Sequence, residues 1–375
     1  MDAVIPFVDL PADWKPLKRS VLARVERLLE HGQFIMGPEV AELETRLAQS
    51  TGVNHALTCS SGTMALQLAL MALGVGLGDE VIVPTFTFAA PVEAILLLGA
   101  KPVLADIRAD TLNIDVSACA ALIGPRTKAI IAVSLFGEPA DFAALKSLAR
   151  AHGLSVIEDA AQSYGSSLNG QPSGSLADIG CTSFFPTKPL GGAGEGGALF
   201  TNDNHLAQRL REARDHGQSG KYLHTSLGTN GRLDSLSCCA LLAVLEHLPE
   251  RIDQRRAVAE RYRTALINTC TEEQLRLPTQ LVGTQSAHAQ FAVLLPNREI
   301  VAEHMRSQGI QTAVHYPIPL HLQPAFVERC RFGTLENAEA AAQQILCLPI
   351  YPTLGITAQE RVIETLLQGI EKCLS

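Results

Sequence analysis

Along the first two hundred positions, apolar residues fall into short, nearly unbroken runs, each preceded by a longer stretch with apolar residues at helical spacing. Glu80–Val83, Lys101–Ala105, Ala129–Val133 and Ser155–Glu158 are such runs, and their continuity predicts strands buried on both faces. Strands alternating with amphipathic helices predict an α/β domain around a largely parallel sheet, with its ligand site at the carboxyl ends of the strands. From about Asp234 the pattern turns helical, and Ser235–Leu248 and Ile252–Leu266 predict long helices leading out of that domain. Residues 288–375 read as a smaller α+β body, with a strand at Gln290–Leu295, a helix through Met305 and a proline-rich loop at Tyr316–Pro319. The expected division is a large domain over residues 1–250 and a small C-terminal domain over 251–375.

Composition narrows the class. With 375 residues, 47% hydrophobic and 18% charged, the chain can bury one large core and a second smaller one. No apolar run approaches the roughly 18 residues of a membrane span, and Met1–Asp9 carries no basic segment leading into an apolar core. A cytoplasmic protein is expected. Thirty basic against 38 acidic residues give a net charge of -8 without a basic run, which speaks against nucleic acid as a partner. Nine cysteines between Cys59 and Cys373 show neither CxxC pairs nor Cys/His ligand spacing, so neither a disulfide framework nor a metal site is expected. Cys238-Cys239 lies in an apolar helical pattern and reads as core.

Candidate chemistry clusters after the strands. Ser60-Ser61-Gly62-Thr63 precedes the helical run Met64–Leu73, which Gly74 closes; a helix N-terminus with a hydroxyl suits a phosphate, although a Ser/Thr N-cap accounts for the same residues. In Pro84-Thr85-Phe86-Thr87-Phe88, Phe86 reads as core, while Phe88 is open between core and a ring-stacking role. Asp159 follows a strand and precedes Ala160, Ala161, Gln162 and Ser163. Its carboxylate suits a protonated pyridine nitrogen, or equally a helix N-cap.

Lys188 stands between a short apolar strand and a glycine-rich loop, flanked by Phe184, Phe185 and Leu190. Desolvation there lowers an amine's pKa and suits it to Schiff-base formation. Ser183 offers another hydroxyl. Gly192–Gly197 matches GxGxxG but leads into the strand-like Ala198–Thr201 rather than a helix, so a nicotinamide site is not expected. Gly228–Asp234 presents Asn230 and Arg232 in a turn before a helix, and the guanidinium can pair with a carboxylate or phosphate. His315-Tyr316 is open between substrate contact and packing.

The motifs SSGTMAL, PTFTF, EDAAQSYG, TSFFPTKPLGG and GTNGRLD occur in the order and spacing of the DegT-type sugar-nucleotide aminotransferases, and the resemblance spans nearly the whole chain. It implies an aspartate-aminotransferase-like fold type I, with a mostly parallel seven-stranded sheet and a smaller C-terminal α+β domain. It also implies pyridoxal 5'-phosphate as cofactor and a homodimer with shared active sites. Carried over by motif, Lys188 is the Schiff-base lysine, Asp159 the partner of the pyridine nitrogen, Gln162 the neighbour of the ring hydroxyl and Phe88 the stacking aromatic. Gly62, Thr63 and Ser183 hold the phosphate, and Asn230 reaches it from the neighbouring subunit.

Within the family, residues 31–40, 185–191 and 313–320 are most similar to enzymes that aminate C3 of UDP-2-acetamido-2-deoxy-3-oxo-glucuronate with L-glutamate as donor. The resemblance assigns Arg232 to the sugar carboxylate and His315 and Tyr316 to a substrate-side loop, in an enzyme of surface polysaccharide biosynthesis. Glu195 in place of the usual aspartate, and Ser237-Cys238-Cys239 in place of Gln-Ala-Ala, are departures that remove no chemical role. A dTDP-3-oxo-6-deoxyhexose is the alternative acceptor. Dehydratases of the same fold carry histidine where Lys188 stands, and a regulatory protein without turnover does not need Asp159, Gln162, Ser183 and Lys188 together.

Overall fold

A computed structural model describes residues 4–373. The central sheet consists of β1 (His55–Cys59), β2 (Glu80–Pro84), β3 (Lys101–Ala105), β4 (Thr127–Val133), β5 (Ser155–Asp159), β6 (Ile179–Ser183), β7 (Gly197–Thr201) and β8 (Arg331–Phe332). Their order across the sheet is β1-β7-β6-β5-β4-β2-β3-β8. Strand β7 runs antiparallel to both neighbours and every other adjacent pair is parallel. The seven expected strands are therefore joined by an eighth, two residues long, contributed by the C-terminal part.

Both faces of the sheet are covered, which is why its strands read as continuous apolar runs. Val81, Val83, Ile131 and Ile157 pack into one core, while Ile82, Val103, Ile130 and Val156 pack into another. Strand β1 escapes the apolar pattern because Thr58 interrupts it. That residue is tolerated at full burial because Glu44 Oε1 accepts both its N–H (2.9 Å) and its hydroxyl (3.1 Å), and Arg214 donates to its carbonyl (2.7 Å).

In the smaller body, strand Phe291–Leu294 pairs antiparallel with Ile345–Leu348. Helices Arg298–Ser307 and Ile356–Glu371 share their core. We keep 1–250 and 251–375 as the proposed division, with two exchanges across it. Ile5 packs in the small core, its N–H donating to Gly309 O (2.9 Å) and its carbonyl accepting from Gln311 (3.0 Å), while β8 extends the large sheet. Among the described residues no helix is long and apolar enough to cross a membrane.

Candidate active site

Five segments converge at the carboxyl edge of the sheet. Strands β1 and β6 run in the same direction with the antiparallel β7 between them, and Cys59, Gly197 and Ser183 share one register row. The helix that follows β1 begins at Gly62 rather than Met64, because Ser61 is the N-cap and its Oγ accepts from Met64 N–H (3.0 Å). Gly62 and Thr63 thus occupy the first helical turn, where backbone N–H groups have no partner one turn back. A Cβ on Gly62 would lie 2.7 Å from Ser183 Cβ, and one on Gly197 would lie 2.5 Å from Ser61 O. Two glycines therefore let a helix N-terminus and a serine close into one cradle, whose free N–H groups and hydroxyls suit a phosphate.

Asp159 is the last residue of β5, and Ala161 N–H donates to its Oδ1 at 3.0 Å. Its N-cap reading falls away because residues 161–165 form turns, not a helix. Burial pushes this carboxyl above the usual range, and Ala161 N–H and the Lys188 ammonium pull it back. Lys188 shows the mirror effect: burial lowers its amine below an ordinary lysine, and Asp159 partly restores it. The loop holding Lys188 is folded back on itself by Lys188 N–H to Phe185 O (2.9 Å) and Gly192 N–H to Phe184 O (2.7 Å). Phe184 and Leu190 are buried as expected, whereas Phe185 is exposed.

Gln162 is also buried, and it bridges two partners. Its Oε1 accepts from Phe136 N–H (2.8 Å) and its Nε2 donates to the Tyr316 hydroxyl (3.1 Å). Tyr316 belongs to the C-terminal body, so this bond carries the 315–316 loop onto the large sheet. His315 lies against Phe7, ring centroids 5.9 Å apart; burial, then Lys188, lowers its pKa. Phe86 is core, as expected, while Phe88 is 57% exposed with its ring 6.3 Å from that of Tyr316, free to cover a planar ligand.

Two predicted residues lie on a segment that is extended rather than the expected turn. Asn230 is exposed in an antiparallel bridge with Asp215, and the next residue, Gly231, accepts from Ser60 N–H (2.9 Å). Arg232 is ion-paired with Asp215, so its guanidinium already has a carboxylate partner. The pattern reading missed both partners of Gln162, Phe136 and Tyr316, and the contact of Phe7 with His315. None carries a local signal, since each joins residues far apart in the chain.

A pyridoxal phosphate fits these residues: the Gly62–Ser183 cradle would take its phosphate, the buried Asp159 carboxylate would hold its ring nitrogen, and Lys188, close enough to Asp159 for each to shift the other's pKa, would hold its aldehyde carbon. Comparison with known proteins agrees. The DegT/DnrJ/EryC1/StrS aminotransferase family pattern matches residues 16–367. The UDP-2-acetamido-2-deoxy-3-oxo-D-glucuronate aminotransferase of Pseudomonas aeruginosa is 46% identical over 96% of this chain and 98% of its own. The dTDP-3-amino-3,4,6-trideoxy-alpha-D-glucose transaminase of Streptomyces venezuelae is 38% identical over 98% of this chain and 97% of its own. The solved structure of NtdA from Bacillus subtilis, with bound cofactor PMP, superposes with a TM-score of 0.91 at 30% identity over 99% of this chain and 86% of its own. The chain belongs to the DegT/DnrJ/EryC1/StrS aminotransferase family, with the two-body aminotransferase fold that its motifs implied.

Proposed function

We propose that this aminotransferase moves an amino group from L-glutamate to a 3-oxo sugar nucleotide, with UDP-2-acetamido-2-deoxy-3-oxo-glucuronate as the acceptor. The electrostatically coupled pair of the half-buried Lys188 amine and the buried Asp159 carboxylate, beside the Gly62–Ser183 cradle, carries the aminotransferase reading. Likeness to the glucuronate enzyme across almost the whole chain supports the acceptor. Pyridoxal phosphate, when bound, supplies an electron sink that stabilises negative charge developing on the amine-bearing carbon. Asp159 would hold the ring nitrogen, Gln162 would neighbour the ring hydroxyl, Phe88 would cover the ring face, and Gly62, Thr63 and Ser183 would take the phosphate. Burial makes the Lys188 amine easier to free of its proton than an ordinary lysine's, and Nζ would take a proton from one carbon and return it to another. Arg232 would turn from Asp215 to the uronate carboxylate, and His315 and Tyr316 would line the sugar's side of the site.

The working unit is proposed to be a homodimer in the cytoplasm. Phe34, Ile35, Met36 and Leu236 are exposed apolar residues beside the segment of Asn230 and Arg232, with Ile35 bridged to Asp234 and Ser235 N–H bonded to Phe34 O (2.9 Å). A second copy covering them would bring Asn230 toward the neighbouring cradle. The test is a single turnover of glutamate-treated holoenzyme, followed by absorbance, with the uronate and with a dTDP-3-oxo-6-deoxyhexose in separate runs. Return of the starting spectrum with the uronate is expected; return with the deoxyhexose alone replaces the acceptor, and no change with glutamate rejects the activity.

A further inference from the structure

Residues 313–322 run as a strap from the small body to the large sheet. At one end Ala313 exchanges backbone hydrogen bonds with Cys347 (3.1 and 2.7 Å). At the other, Leu320 N–H donates to Thr85 O (2.9 Å) and His321 N–H donates to Thr85 Oγ1 (3.3 Å). His315 and Tyr316 lie between these anchors.

The His321 ring is only 3% exposed, with Nδ1 2.9 Å from Thr85 Oγ1 and Nε2 3.1 Å from Glu339 Oε1. A carboxylate can only accept, so in the neutral ring Nε2 carries the hydrogen and Nδ1 accepts from the Thr85 hydroxyl. Hydroxyl, imidazole and carboxylate in that order resemble a nucleophilic triad, yet Thr85 is 0% exposed and no substrate reaches its oxygen. The three groups form a clasp instead. Thr85 directly follows β2 and precedes Phe88 by three residues, so the clasp locks the strap to the turn bearing the ring-covering aromatic.

We infer that His321 is a positioning residue for the acceptor half of the reaction. Through Thr85 and Glu339 it fixes the strap that carries His315 and Tyr316, and so sets the fit of the keto-sugar nucleotide without touching it. This rests on the aminotransferase reading above. The cradle and Asp159 stand at strand ends, and Lys188 in the loop after β6, none of which the clasp holds. A sugar nucleotide also presents many more atoms to the strap than glutamate does, so a loosened strap weakens the acceptor half first.

The test measures each half-reaction separately by absorbance on holoenzyme, together with amide hydrogen exchange over residues 313–322. Thr85→Val keeps the side-chain volume and removes the hydroxyl. It is expected to lower kcat/KM for the keto-sugar about tenfold, to leave the glutamate half within about twofold, and to speed exchange in the strap. Two ring replacements separate the two ends of the clasp. His321→Asn can still accept from Thr85, whereas His321→Gln reaches only Glu339, so the asparagine variant should retain more keto-sugar activity. Keto-sugar kcat/KM within about twofold of wild type in both Thr85→Val and His321→Gln overturns the inference, as does an equal fall in both halves. No reaction of the unmutated enzyme with glutamate is the distinct mark of a failed aminotransferase reading, and it overturns this inference with it.

Discussion

The cofactor cradle and the strap bound the same site but are built in opposite ways. The cradle is assembled from residues within a few positions of strand ends: Ser61–Thr63 after β1, Asp159 at the end of β5, Ser183 and Lys188 at and after β6. Its geometry is a consequence of sheet register, which brings Cys59, Gly197 and Ser183 into one row. The strap has no such register. It is held by bonds that join distant parts of the chain, Gln162 to Tyr316 and Thr85 to His321, across 154 and 236 positions. The cradle should therefore control chemistry shared by every substrate, and the strap and the Arg232 segment should control which acceptor is used.

The largest effect expected from that contrast is at Lys188. Lys188→Ala leaves Asp159 and the cradle in place but removes the amine proposed to move the proton, which predicts a loss of steady-state transamination of at least about 10³-fold with any acceptor. Measurable turnover would show that another group moves the proton. Next is Arg232. If it reads the uronate carboxylate, Arg232→Gln should lower kcat/KM for the uronate about 100-fold. Its glutamate half-reaction should stay within about twofold. An equal loss in both halves would make the Asp215 pair a structural tie and remove Arg232 from substrate recognition.

This contrast also explains how much could be read before the fold was known. Buried parallel strands leave continuous apolar runs, and the proposed site residues Asp159 and Ser183 end strands while Lys188 follows one closely, so they stand out in the chain itself. Strand β1 was hidden because its buried Thr58 is satisfied by Glu44 and Arg214, which no local pattern reveals. The eighth strand was hidden because two residues, Arg331 and Phe332, are too few to show a period. Arg232 was visible as a candidate, but its pairing with Asp215 was not, because that contact depends on how two loops meet.

Glu158 offers a smaller effect that probes the support beneath the cradle. It precedes Asp159 on β5, points to the other face of the sheet, and accepts from Ser173 Oγ (2.5 Å), Gly174 N–H (2.9 Å), Leu176 N–H (3.1 Å) and Ser134 Oγ (3.3 Å). Burial outweighs these donors and raises the carboxyl from 4.5 to about 6. The folded chain therefore binds the proton more tightly than the unfolded chain. The resulting stability, about 2 kcal/mol, is fully present below pH 4.5 and is lost as pH rises through 6. Glu158→Gln preserves the acceptor for the two N–H groups and cannot titrate. Denaturant unfolding from pH 4 to 7 should show the wild type losing stability relative to the variant over that window; parallel curves would mean that the folded carboxyl titrates normally.

The finest test asks whether the cradle is set by van der Waals contact. Gly62 has no left-handed backbone to protect, so Gly62→Ala would help a helix if nothing stood opposite. What stands opposite is Ser183, whose Cβ would be 2.7 Å from the new methyl, closer than two carbons approach without one of them moving. Helix and strand must then part by about 1 Å to restore ordinary contact, enough to spoil phosphate contacts; spectrophotometric titration should show pyridoxal phosphate affinity falling about tenfold. Ser183→Gly removes the opposing Cβ along with one phosphate hydroxyl, and by itself should also weaken binding. If contact is the cause, the two substitutions are not additive, because the second removes the atom that the first collides with, and the double variant should bind better than the product of the single losses. Simple additivity would mean that the helix N-terminus and β6 hold the phosphate independently, leaving the glycine at position 62 without a steric reason.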